Sequence, residues 1–203
     1  MKVVITGHTY GIGKALYDSF KSAEWEVVGL SRSNGYDIAA DFDRVVEAAT
    51  GADLFINNAY RDKQQTRLVH ALKNKVKKMI VMGSVSRLYP ELIHTDYVHD
   101  KQELAEACRL VSIDPNGIDI LHLDLSFIEG MPDNADPTHF VSDYNLKFEE
   151  IVSAVNFWMT NPKIRQMEFR WKLTPFVFSQ LKAAFPNLDT PEGDILNLLS
   201  KQE

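Results

Sequence analysis

The chain has 203 residues, 45% of them hydrophobic and 25% charged, the balance of an ordinary globular protein, which excludes disordered, collagen-like and coiled-coil sequence. At roughly 100–200 residues per domain, a single domain over 1–203 is expected. The formal net charge of −6 argues against nucleic acid or an anionic membrane as partner and leaves a small molecule as the better candidate.

No apolar run approaches the roughly 18 residues of a membrane span, and the start reaches Thr6-Gly7 too soon for a signal-peptide core. A cytoplasmic protein is therefore expected. Cys108 is the only cysteine, which excludes an intramolecular disulfide and a cysteine-based metal site; it reads as a small apolar residue on a buried helix face. The six histidines form no H-x-x-x-H pair, so no metal is expected.

The first apolar run, residues 2–6, ends at glycine, as a strand buried on both faces does. Over 11–21, Ile12, Leu16 and Phe20 recur every four positions and mark a helix; 26–31 is the next strand, completing a βαβ crossover. A short strand at 36–39, a helix at 43–50, a strand at 53–57, a helix at 63–74 and a strand at 78–83 follow. A helix at 97–111 places Leu104, Cys108 and Val111 on one face, and the turn Asp114-Pro115-Asn116-Gly117 announces a strand at 119–125. After a loop, a helix at 148–159 and an edge strand at 164–173 close a core of 1–173, with 174–203 as a packed tail. Strands alternating with helices imply a doubly wound parallel sheet of about seven strands with helices on both faces.

The first βα turn reads Thr6-Gly7-His8-Thr9-Tyr10-Gly11-Ile12-Gly13. Glycines there let backbone approach a pyrophosphate at a helix N-terminus, whose amides favour an anion. Further on, Tyr97 and Lys101 stand four apart on one helix face, and an ammonium beside a phenol lowers its pKa from about 10 toward working pH. Such a tyrosine can protonate a carbonyl oxygen as hydride arrives at the carbon.

The spacing of Gly7, Gly11 and Gly13, the run Asn57-Asn58-Ala59, and Tyr97-Val98-His99-Asp100-Lys101 with Ser84 thirteen residues before the tyrosine resemble the short-chain dehydrogenase/reductase family, as a shortened member. The resemblance spans about 1–173. It implies a Rossmann-like strand order 3-2-1-4-5-6-7, with Ser84, Tyr97 and Lys101 as catalytic residues. It also implies nucleotide binding by the turn Gly7, His8, Thr9, Tyr10, Gly11, Ile12 and Gly13, by Asp37-Ile38 at the adenine, by Asn57, Asn58 and Ala59, by Lys101 at the ribose and by Ile128 at the carboxamide. A homodimer is implied as well.

Cofactor choice is read at the end of the second strand. An acidic residue there would bind the ribose hydroxyls of NAD, whereas Ser31-Arg32-Ser33 offers a cation and two hydroxyls to a 2′-phosphate. NADP(H) is therefore expected over NAD(H), although Tyr10 stands where such relatives often carry a second basic residue. The sequence departs from the family in three further ways. Tyr60 replaces a glycine, Leu125-Ser126 replaces Pro-Gly, and only 26 positions separate Asn58 from Ser84, with no catalytic asparagine between them. The expected protein is an NADP(H)-dependent oxidoreductase acting on a carbonyl or secondary alcohol; the alternative is a non-catalytic NADP-binding redox sensor.

Overall fold

The apolar run Lys2–Thr6 forms the central strand β1, and its Val3, Val4 and Ile5 have no exposed surface, as a strand covered on both faces requires. Helix α1 (Gly11–Ser22) buries Ile12, Leu16 and Phe20 and returns the chain to β2 (Glu26–Leu30). There follow α2 (Phe42–Ala49), β3 (Leu54–Asn57), α3 (Gln64–Leu72), β4 (Lys78–Met82), α4 (Asp96–Ile113), β5 (Asp119–Asp124), α5 (Phe148–Thr160) and β6 (Gln166–Glu168). This computed structural model describes residues 1–88, 90, 95–126, 128 and 146–168, all within one compact unit, Met1–Trp171. The tail 174–203, the far end of the last expected strand with Phe169 and Trp171, and the loop aromatics Phe140 and Tyr144 lie outside the described residues.

All strand pairs are parallel, in the order β2-β1-β3-β4-β5-β6. Against the expected seven-stranded order, one member is missing: the strand at 36–39 does not form. Asp37 explains why. Its carboxylate accepts from the Ala39 and Ala40 amides at 2.8 and 3.4 Å, while its own amide donates to Asp41 at 3.0 Å. These local bonds satisfy the groups a ladder would have used and curl the segment into a turn. A 3₁₀ turn at Arg32–Asn34, ended by Gly35 at φ 82°, fills the short connection before it.

The sheet carries helices on both faces. Val4, Phe55, Met79, Val81 and Ile120 pack under α2, α3 and α4, where Leu104, Cys108 and Val111 are buried as their spacing predicts. Ile5, Ile56, Ile80, Met82 and Leu123 pack under α1 and α5, whose Trp158 is fully buried and donates its indole N–H to the Ile164 carbonyl at 2.7 Å. Helix α4 starts one residue earlier than predicted because Thr95 caps it, its hydroxyl accepting from the Val98 amide. Among the described residues no helix is long and apolar enough to cross a membrane.

The register aligns the carboxyl ends. Thr6 lies opposite Leu30, Asn57 opposite Val81 and Met82 opposite Leu123. Because β1 is followed by a neighbour on one side and then on the other, a crevice opens between β1 and β3 at that edge, the place where open α/β sheets bind ligands.

Candidate functional site

A cavity of about 990 Å³ occupies this edge, large enough for a dinucleotide and a small substrate. Its floor is the glycine turn. Gly7 and Gly11 adopt φ 70° and 57°, a left-handed conformation that glycine takes without strain. Gly13 has another constraint: a Cβ there would lie 2.1 Å from the Gly7 carbonyl oxygen and 2.7 Å from Asn58 Nδ2. The Thr6 hydroxyl accepts from the Asn58 and Ala59 amides at 3.0 and 3.1 Å, stapling the turn to the end of β3. Among the described residues no side chain caps α1, and its first turn holds no acidic residue. The amides that would grip an anion therefore have no side-chain competitor.

Gly13→Ala is expected to destabilise the fold by about 1–3 kcal/mol, because the obstacle is backbone and cannot rotate away. Thermal unfolding of the variant is the check.

Of the residues the sequence assigned to nucleotide binding, the cavity is lined by Gly7, Thr9, Tyr10, Ile12, Ser31, Arg32, Ser33, Asp37, Ile38, Asn58, Ala59, Lys101 and Ile128. His8, Gly11, Gly13 and Asn57 are not in its lining and shape it from behind. The His8 ring packs 5.2 Å from Tyr17 and so close to β2 that a Cβ on Gly29 would lie 2.2 Å from it. Asn57 is fully buried and donates to the Gln65 carbonyl at 2.8 Å.

At the β2 end of the cavity, Ser31 is buried and Arg32 exposed, with the Ser31 and Ser33 hydroxyls 2.8 Å apart. The Asp37 carboxyl is held below its ordinary range by the amide bonds of its own turn, and the positive charges of Arg61 and Arg32 lower it further. Arg61, which the sequence reading passed over, also lines the cavity.

Ser84, Tyr97 and Lys101, the expected catalytic residues, line the same cavity. Ser84 follows β4 and shares a 2.8 Å hydrogen bond with Ser86. Tyr97 is 37% exposed, yet desolvation dominates at its phenol and raises the pKa, the Ser84 hydroxyl working against the rise. The expectation that Lys101 brings this phenol toward working pH is not met, because burial acts on both groups. Lys101 is only 3% exposed, and loss of water lowers its amine to about 7, with Asp124, Cys108 and Asp100 opposing. Its Nζ lies 5.5 Å from the Tyr97 ring centre and 5.2 Å from that of Tyr60.

Three further residues organise this end: Tyr60, which the sequence marks only as a departure at a glycine position, and Gln65 and Arg87, which it does not mark. Tyr60 packs edge-on against Tyr97, ring centres 4.8 Å apart, and donates its hydroxyl to Asp100 at 2.9 Å. Gln65 reaches Lys101 from α3 at 2.6 Å. Arg87, just beyond Ser84, grips Asp124 through Nε at 2.9 Å and Nη2 at 2.5 Å.

No protein-family model matches the sequence, and no curated protein matches it. Solved structures match it by shape. A 3-ketoacyl-(acyl-carrier-protein) reductase from Brucella melitensis complexed with NADH superposes with a TM-score of 0.65 at 17% identity, over 82% of this chain and 95% of that one. A short-chain dehydrogenase from Sphingobium yanoikuyae in complex with NADPH gives 0.66 at 16%, over 94% and 96%. A UDP-N-acetylglucosamine 4-epimerase from Bacillus cereus gives 0.67 at 17%, over 93% and 86%. The sheet order and these neighbours define the fold as the Rossmann-like one of short-chain dehydrogenase/reductase structures. Reductase and epimerase alike carry it, so the chemistry has to be argued from the site.

Proposed function

We propose that the protein is an NADP(H)-dependent oxidoreductase that interconverts a carbonyl and a secondary alcohol on a small molecule. The observation that carries this reading is a single cavity with a glycine-built anion cradle and Arg32 at one end and Ser84, Tyr97 and Lys101 at the other.

The uncapped start of α1 and the Gly7 turn would hold the pyrophosphate. Ser31, Arg32 and Ser33 would receive the 2′-phosphate, Asp37 and Ile38 the adenine, Asn58 and Ala59 the adenosine side, and Ile128 the carboxamide. When bound, the nicotinamide supplies or accepts the hydride at the substrate carbon. In reduction Tyr97 gives its hydroxyl proton to the carbonyl oxygen, which Ser84 holds by a hydrogen bond. Lys101, when charged, stabilises the phenolate left behind and binds the ribose. In oxidation the same proton returns to Tyr97.

Fluorescence titration with NADPH and NADH tests the cofactor half. NADPH should bind at least tenfold more tightly, about 1.4 kcal/mol, and Arg32→Ala should erase most of that difference while sparing NADH. Equal affinities in the wild type would overturn the NADP(H) preference, and no binding of either below millimolar would overturn the whole reading.

A further inference from the structure

Resting on the proposed function, we infer that Gln65 is the positioning residue of the site: its buried side chain on α3 fixes where the Lys101 amine points and so sets Lys101 against Tyr97.

Gln65 is 2% exposed, and both ends of its amide are committed. Nε2 donates to the Asn57 carbonyl at 3.0 Å and the Met82 carbonyl at 3.2 Å, while Oε1 accepts from Lys101 Nζ at 2.6 Å. This orientation is forced, because turning the amide over would set an oxygen against two carbonyls and an NH₂ against the amine. The Asn57 side chain in turn donates to the Gln65 backbone carbonyl, fixing the first turn of α3 to the end of β3. The oxygen that meets Lys101 is thus tied through three bonds to the ends of two central strands.

A lysine nitrogen has three positions besides its carbon. Gln65 takes one, and the Met82 carbonyl, at 2.9 Å, takes the second. The third is left for the cavity that Lys101 and Tyr97 both line. Among the described residues no carboxylate forms an ion pair with this amine. The Asp100 carboxylate receives the Tyr60 hydroxyl, and that of Asp124 receives Arg87. The groups facing the amine are Tyr97, Asp100 and Cys108 on α4, Asp124 on β5 and Tyr60 beyond β3. Of its two direct acceptors, Gln65 is the only side chain. A neutral acceptor leaves the amine free to gain or lose charge, whereas a carboxylate there would hold it permanently charged.

The test uses Gln65→Leu and Gln65→Glu in the full chain. The Lys101 amine is titrated by its ¹³Cε shift in lysine-labelled protein, with Lys101→Met identifying the resonance. Losing the acceptor should move the midpoint down by about one unit, and a carboxylate should move it up by a similar amount. With a carbonyl substrate in hand, kcat for Gln65→Leu should fall at least tenfold with KM within threefold, and the basic limb of the pH profile should shift with the amine in each variant. A merely structural glutamine would lower the melting temperature of both variants without moving the midpoint in opposite directions, and an unmoved midpoint overturns the inference. If Gln65→Leu fails to fold, Gln65→Met, unbranched and without the acceptor, decides by the same titration. Should the wild type bind no nicotinamide nucleotide, the proposed function falls, while the titration still decides the Gln65–Lys101 contact.

Discussion

Replacing Tyr97 by Phe is expected to lower kcat/KM for carbonyl reduction by about 10²–10⁴, the usual worth of a positioned acid or base. The substitution removes one oxygen and leaves the ring that packs edge-on against Tyr60, so nucleotide binding and melting temperature should change little. The pH profile carries a second signature. Burial raises the Tyr97 phenol, so this group stays protonated across the neutral range and is ready to act as an acid. Lys101 has been lowered to about 7. It is charged below that value and neutral above it, and only the charged form stabilises the departing phenolate. The kcat/KM for reduction should therefore fall as pH rises through about 7. Steady-state assays from pH 5 to 9 check both points. A loss of less than tenfold in Tyr97→Phe would remove the acid/base assignment.

What the sequence shows clearly is whatever has a period or a fixed spacing. The strand cores, the α1 stripe of Ile12, Leu16 and Phe20, the glycine turn, and the pair Tyr97 and Lys101 are legible because each is local or is spaced by one helix turn, whereas Ser84, thirteen positions before Tyr97, is legible only through the family resemblance. The strand expected at 36–39 fails because Asp37 and Asp41 bond the backbone of their own turn, a competition that hydrophobic patterning does not register. Gln65 was passed over for a related reason. It sits on the buried stripe of α3 with Leu68 and Leu72, and its partners Met82 and Lys101 lie 17 and 36 positions away. A polar residue at a stripe position was the available signal. Asp124 is the same case, a fully buried charge at the end of an apolar strand.

Asp124→Ala is expected to cost about 3–5 kcal/mol, because it removes the carboxylate of a largely buried ion pair. The Asp124 side chain is fully buried and that of Arg87 is 16% exposed. The same carboxylate accepts from Gln166 at 3.1 Å and lies 3.6 Å from His122 Nε2. For a chain of this size such a loss lowers the melting temperature by roughly 10 °C or more. The damage should reach the site, since Arg87 belongs to the 3₁₀ turn that begins directly after Ser84. Gly83 is also wedged so tightly that a Cβ there would lie 2.6 Å from Asp124 Oδ1. Arg87→Met combined with Asp124→Leu separates the two contributions. Removing both charges should recover part of the stability, though not all, because Gln166 would still lose an acceptor. Thermal unfolding of the single and double variants measures this. Equal destabilisation in both would mean that the pair acts through packing and not through its charge. If instead the ion pair is what fixes this turn, the double variant should regain melting temperature before it regains turnover, since apolar contact can fill the space without holding Ser84 at a fixed place against Tyr97.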